Sequence, residues 1–332
     1  MKLSVIILNW NGKDLLEKFL PYVVKYSFGF DIYLVDNNSN DDSIEFTREK
    51  FPIITIIELN KNYGYAEGYN IAVKEVDSEI YCFLNSDVRV TDNWLNPIID
   101  IFKNNQSISI IQPKILDEKK PKKFEYSGAA GGFIDQLGYP YCRGRIFNTI
   151  EKDDKQYTDR EIFWASGACF FVRSNTFKTL GGFDKRFFAY MEEIDFCWRA
   201  YNKGEKTYYT ESSTVYHLGS QSLKTKPLKT YFNFRNNLLT ITKNTPHSLF
   251  IVIIFRLFLD GLAGLNFILK GKFLHTIAII SSHFSYYFML RKALIFRFKN
   301  KPQLSYPGEY SIILKYFLLR KKSFLKLKEH NL

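Results

Sequence analysis

The chain has 332 residues, 46% of them apolar, enough for one large α/β core with an appendage. Its formal charge of +12 is uneven: residues 221–332 hold 19 Lys/Arg against Asp260, Glu309 and Glu329, a local +16 that leaves −4 on residues 1–220. Basic residues interleaved with aliphatic ones argue against nucleic-acid binding, and the scattered Cys82, Cys142, Cys169 and Cys197 match neither a zinc site nor a disulfide scaffold, as in a reducing cytoplasm.

Residues 3–8, Leu-Ser-Val-Ile-Ile-Leu, predict a parallel strand buried on both faces. The run is too short for the core of a signal peptide and lacks a small-residue cleavage site, so export is not expected. Asn9-Trp10-Asn11-Gly12 breaks it, and residues 14–20 resume at helical period. Residues 31–35 predict a second strand, ending in Asp36-Asn37-Asn38-Ser39-Asn40-Asp41-Asp42 before a helix from about Ser43; the rhythm is βαβ. A third strand over 53–57 runs into a polar loop from Asn60 to Asn70, and a fourth over 80–84 ends at Asn85-Ser86-Asp87.

In open α/β sheets ligands bind outside the carboxyl ends of the strands, so these loops should converge on one crevice, with chemistry suited to a nucleotide diphosphate. Asp36 can accept from a base N–H or a ribose hydroxyl. Gly64, Ala66 and Gly68 allow close backbone approach, although their spacing also fits a helix start. Asp87 is a candidate ligand for a hard divalent cation; the plain alternative for residues 85–87 is an N-cap.

Residues 112–160 predict a flexible acceptor-side segment, with solvated excursions at 119–123 and 151–155 and a small-residue run at 127–133 that reads as close packing or a flap. Residues 162–172 predict a strand with Gly167 at its centre, in which Trp164 either stacks on a sugar or fills core. From Gly181 to Arg199, Glu192, Glu193 and Asp195 crowd behind an aromatic run. As a turn and helix, Glu192, Asp195 and Arg199 share a face, while Glu193 projects roughly 100° away. A solvated helix start is the bland alternative. The flanking Phe187, Phe188, Tyr190, Phe196 and Trp198 instead suggest apolar surroundings that tune a carboxylate into a base. Asp195 has Arg199 one turn on as a partner and Glu193 has none, which favours Glu193. His217, on an apolar strand, is by default a structural residue.

Six ordered motifs, Val5-Ile6-Ile7-Leu8-Asn9-Trp10-Asn11, Val35-Asp36-Asn37-Asn38-Ser39, Asn62-Tyr63-Gly64-Tyr65-Ala66-Glu67-Gly68-Tyr69-Asn70, Asn85-Ser86-Asp87, Trp164-Ala165-Ser166-Gly167-Ala168 and Gly181 to Arg199, together resemble family 2 glycosyltransferases, particularly the bacterial rhamnosyltransferase-like branch, over roughly residues 3–245. The resemblance implies an α/β GT-A fold and inverting transfer from a nucleotide-diphosphate sugar. It places Asn9, Asn11, Asp36, Asn38, Asn62, Gly64, Ala66, Gly68, Asn70, Asn85 and Ser86 on the donor, and Trp164, Gly167 and Arg199 on the sugar or acceptor. It assigns Mn²⁺ or Mg²⁺ to Asp87 and His217. Glu193 stands where the family's base is usually Asp, one methylene longer, with Glu192 and Asp195 beside it; Asn85 replaces the commoner first Asp of the metal motif. Rhamnose from a dTDP donor is favoured, other sugars and UDP donors stay open, and the acceptor is a glycan or a lipid-linked one. The rivals are a non-catalytic nucleotide-sugar-binding scaffold and a nucleotidyltransferase, which has no use for the base.

Residues 1–225 are assigned to the catalytic domain and 226–332 to a helical tail. Residues 249–269 are long enough to span a membrane, but Arg256 and Asp260 interrupt them at high cost. The expectation is a peripheral tail on the anionic inner face of the cell membrane, the alternative being a helical subdomain that packs on the catalytic domain or forms an oligomer contact.

Overall fold

The computed structural model describes residues 1–219, 226–302, 304–306 and 308–327; the boundary drawn at residue 225, and Ser220 to Ser222 of the segment after His217, fall outside them. The first half follows the expected rhythm: β1 (Leu3–Asn9), α1 (Lys13–Tyr26), β2 (Asp31–Asp36), α2 (Ser43–Lys50), β3 (Thr55–Glu58), α3 (Gly64–Ala72) and β4 (Ile80–Asn85). Then come β5 (Val88–Val90), α4 (Asn96–Asn104), β6 (Ile108–Asp117), β7 (Gly132–Ile134), β8 (Pro140–Cys142), β9 (Arg145–Ile146), β10 (Thr149–Ile150), β11 (Arg160–Ile162) and β12 (Cys169–Arg173). The remainder is α5 (Ser174–Thr179), α6 (Glu192–Tyr201), β13 (Lys206–His217), α7 (Pro227–Asn244), α8 (Leu249–Leu269) and α9 (Phe273–Asn300).

The main sheet has the order β11-β13-β6-β12-β4-β1-β2-β3, with β5 pairing β13 at one end. Strands β3, β2, β1 and β4 are parallel; β12 enters antiparallel between β4 and β6, and β6 is parallel to β13. Helices cover both faces. Leu16, Leu20 and Val23 of α1 pack with Ile98 and Phe102 of α4 on one side, and Tyr69 of α3, Phe177 of α5 and Phe196 and Trp198 of α6 pack on the other. Burial on both faces explains why β1 and β4 read as unbroken apolar runs.

Three local expectations are corrected. The stretch after β3 is a loop only to Tyr63; from Gly64 it is α3, because Gly64 takes the positive φ of +74° at its start. The strand expected over 162–172 is split: β11 ends at Ile162 and β12 begins at Cys169, with Phe163 to Ala168 between them outside either strand. Residues 112–160 are largely packed, with β6 buried almost throughout and β7 to β10 forming a second, four-stranded sheet, while Lys119 to Lys122, Lys152, Asp154 and Lys155 are exposed in keeping with the expected excursions. The small-residue run there is close packing, since a Cβ on Gly128 would overlap Ser166 and one on Gly132 would overlap Trp164.

Candidate active site

Asp87 follows β4, while His217 ends β13 some 130 residues on. A register shift between Thr210 and Thr214 lets the last residues of β13 pair with β5, His217 opposite Val88. His217 Nε2 thereby comes to 3.0 Å from Asp87 Oδ1, and its Nδ1 to 3.4 Å from Glu125 Oε1. All three are buried. Burial opposes the charge on His217, but Asp87 and then Glu125 outweigh it and hold the imidazole pKa well above its ordinary value. Glu125 lies in the segment read as flexible, and its sequence neighbours offer no signal for it.

Glu192 and Glu193, at the start of α6, line the same cavity of about 790 Å³ as this pair. Burial pushes the Glu193 carboxyl up to about 7, while the backbone N–H of Gly167 works the other way. Glu192 is raised further, by burial first and then by the charges of Glu193 and Asp195. Each glutamate keeps one buried carboxylate oxygen without a hydrogen-bond partner.

The chain reaches α6 through a strained turn, with φ of +63° at Phe188 and +71° at Tyr190 and Met191. Such values are unfavourable for bulky residues, so the turn needs external support. Arg235 Nη2 donates to the carbonyls of Arg186 and Phe187; Asn236 Nδ2 lies 3.0, 2.9 and 2.8 Å from those of Phe187, Ala189 and Tyr190. The Tyr65 N–H donates to Phe188 O at 2.7 Å, an approach that only glycine at position 64 permits, since a Cβ there would meet the same oxygen. Helix α7, assigned by composition to the tail, therefore secures the turn that presents the glutamates. Its first residues, Lys226, Lys229, Thr230 and Asn233, also line the cavity.

Of the residues expected at the site, Asn85, Ser86, Asp87, Gly167, Glu192, Glu193 and His217 line this cavity, joined by Trp10, Tyr65 and Ser166. Asn9 and Asp36 form a buried polar ledge at the ends of β1 and β2, where Asn9 Nδ2 donates to Asp36 Oδ1 at 3.2 Å and Asp36 Oδ2 accepts from Ser39 N at 2.9 Å. Asn11 closes the ledge against Asn40 and Ser39, and Asn38 is exposed beside it. Trp10 connects ledge and cavity.

Other candidates serve packing. Asn62 receives hydrogen bonds from Asn37 and Gly64, Ala66 is fully buried, and Gly68 packs on Leu8. Asn70 is bonded at both ends of its amide to the Phe183 backbone. Trp164 is core, donating from Nε1 to Phe133 O at 2.8 Å. Asp195 accepts from Arg199 Nε, Lys243 Nζ and Asn244 Nδ2, and Arg199 also ties down the carbonyls of Leu180 and Gly182. Asp195 and Arg199 are thus parts of the frame and do not reach the cavity.

The model of the family described as Glycosyl transferase family 2 matches residues 4–181. The N-acetylglucosaminyl-diphospho-decaprenol L-rhamnosyltransferase of Mycobacterium tuberculosis is 23% identical over 244 residues, 68% of this chain and 78% of that protein. The rhamnosyltransferase WbbL of Escherichia coli is 26% identical over 162 residues, 47% of this chain and 61% of that one. Among solved structures, GalNAc-T7 with UDP, GalNAc and Mn²⁺ superposes with a TM-score of 0.58 at 15% identity, over 73% of this chain and 48% of that chain. The mannosyltransferase PcManGT of Pyrobaculum calidifontis, in complex with GDP-Man and Mn²⁺, gives 0.53 at 10%, over 86% of each chain. Sequence match and fold thus agree, and the chain belongs to glycosyl transferase family 2, as a rhamnosyltransferase-like member on a GT-A fold.

Proposed function

We propose that this glycosyltransferase moves a sugar, rhamnose in the first instance, with inversion, from a dTDP- or UDP-linked donor to a hydroxyl of a glycan or lipid-linked acceptor at the inner face of the cell membrane. The observation that carries this reading is that one cavity is lined by both the Asp87–His217 pair and the Glu192–Glu193 pair.

Asp87 and His217 fit a divalent ion by donor chemistry, one carboxylate and one imidazole, the latter favouring Mn²⁺ over Mg²⁺. Glu125 behind His217 Nδ1 is the kind of carboxylate that orients a ligating histidine. Among the described residues no group of three or more His, Cys, Asp or Glu is placed to cage an ion, so Asp87 and His217 would have to share it with the diphosphate. A bound ion would supply Lewis-acid stabilisation of the charge developing on the departing diphosphate.

The other steps belong to the chain. The ledge of Asn9, Asn11, Asp36 and Asn38 is assigned to base and ribose, with Asn85 and Ser86 nearer the diphosphate and Lys226 and Lys229 offering positive charge on the facing wall. Glu193, poised near neutrality, takes the proton of the acceptor hydroxyl as its oxygen attacks the anomeric carbon. Glu192, its carboxyl raised by burial and then by the charge of Glu193, stands beside it in the cavity wall. A single displacement inverts the anomeric centre.

Product analysis tests the reading. Nucleoside diphosphate with an inverted glycoside is expected; pyrophosphate would indicate nucleotidyl transfer, and binding without turnover would indicate a scaffold. Asp87→Asn should abolish metal-dependent donor binding in calorimetry, and undiminished metal dependence would remove Asp87 from the ion.

A further inference from the structure

Helices α8 and α9 carry the largest exposed apolar surface among the described residues. On α8, Phe250, Phe258 and Leu265 are exposed, and on α9 so are Ile277, Phe284 and Phe288, the last with 89% of its surface free. Monomers seldom leave a contiguous apolar patch larger than a few hundred Å² to water. The two charges of α8 do not interrupt this surface, because Val252, Arg256, Asp260 and Gly264 form its buried stripe. Arg256 pairs with Asp260 at 3.1 Å and stacks on Tyr139, 3.7 Å from the ring centre; Asp260 also receives Tyr139 and His283. The outer face of α8, and of α9 as far as Phe288, is thus uncharged; Lys270 and Lys272 stand at the α8–α9 turn, and beyond Phe288 the exposed Arg291, Lys292, Lys299 and Lys301 alternate with exposed Ile295 and Phe298.

We infer that the outer face of the α8–α9 hairpin inserts into one leaflet of an anionic bilayer with its helices lying along the membrane, and that α8 does not cross. This deepens the membrane placement proposed above and rests on it. By length and composition α8 would serve as a span. Its contacts refuse that role: the residues that bind the rest of the protein, Arg256 and Asp260, sit at mid-helix and touch Leu137 O and Tyr139, which belong to the β7–β8 connection. In a crossing helix those contacts would drag the β-structure about 15 Å deep, to the bilayer centre. Lying flat, the same contacts keep the sheets in water, the apolar face meets acyl chains, and the terminal lysines and arginines meet anionic headgroups.

The test uses the full chain with phosphatidylcholine vesicles containing or lacking phosphatidylglycerol, and a Phe288→Trp reporter with lipids brominated along the acyl chain. Binding should require phosphatidylglycerol, survive in part at about 1 M salt, and show quenching strongest for bromines near the headgroup. Phe284→Asp with Phe288→Asp should cut partitioning at least about tenfold with an unchanged circular dichroism spectrum and unchanged binding of a nucleotide sugar. Quenching strongest at the bilayer centre, with α8 protected from protease on both sides, would overturn the inference in favour of a span. Binding without quenching, fully reversed by salt, would overturn insertion while leaving the peripheral placement intact. No binding to any vesicle, with a dimer dissolved by the double substitution, would make this face a contact between copies and overturn both.

Discussion

Helix α6 starts with two carboxylate groupings that share a few turns of chain and have opposite surroundings. Asp195, with Asp184 nearby, is saturated: Lys243 Nζ lies 2.7 Å from both, Arg199 and Asn244 complete Asp195, and Arg186 clasps Asp184. Glu192 and Glu193, on the cavity side, have buried oxygens without partners and carboxyls raised by burial. Burial alone therefore does not mark a catalytic acid. What separates the groupings is the supply of donors, since a buried carboxylate that is fully paired stays ionised and inert, while one that is under-paired holds its proton near neutrality.

The sharpest way to break this contrast is at Glu193. Glu193→Gln keeps the shape and removes the basicity, so turnover should fall by roughly 10²–10⁴-fold while donor affinity by calorimetry stays near wild type. Near-normal turnover in this variant, with loss in Glu192→Gln, would exchange the roles. On the paired side, Lys243→Met leaves Asp184 and Asp195 buried without their shared cation and should cost about 3–5 kcal/mol of stability, read by urea denaturation. A smaller effect is expected at the support of the turn: Asn236→Ala takes the side-chain donor from the carbonyls of Ala189 and Tyr190, while Phe187 O keeps Arg235 and the Ala189 N–H, costing about 1–3 kcal/mol. It should also lower kcat more than it raises KM for the donor, because it loosens the glutamates and leaves Asp87 in place.

The comparison also extends to pH dependence, where the two groupings should act with opposite sign. Glu193 in the folded chain is raised from 4.5 to about 7, so between those values the folded protein holds a proton that the unfolded chain has released. Its contribution to stability is therefore lost as pH rises through about 7, and Glu193→Gln should gain stability relative to wild type between about pH 5 and about pH 8. Asp184 is the reverse case. Burial opposes its charge, but Arg186 and Lys243 hold its carboxyl well below the ordinary range, so its contribution is present at neutral pH and is lost only in strong acid. Denaturation midpoints across pH for Glu193→Gln and Asp184→Asn would separate the two.

Much of this was legible in the chain. Strands buried on both faces announce themselves as apolar β-branched runs, so β1, β2 and β4 and the polar ends that build the cavity were readable from residues 3–87, and the crowding of Glu192, Glu193 and Asp195 drew attention to α6. Helical spacing also gave the pairing of Asp195 with Arg199, but it grouped Glu192 with them, whereas Glu192 lines the cavity beside Glu193. Four matters were settled only in three dimensions. Polar residues at strand ends look alike in sequence whether they bind a ligand or the neighbouring backbone, and only packing showed that Asn62, Asn70 and Trp164 do the latter. Glu125 reaches His217 through a fold-back after β6 that no local pattern encodes. Composition drew a boundary before α7 because charge and aromatic content change there, yet Arg235, Asn236 and Lys243 hold the active-site turn and helix from that side of the line. Hydropathy counts residues along a helix without regard to direction, so only the tertiary contacts could show that Arg256 and Asp260 point inward and leave the opposite face of α8 for another medium.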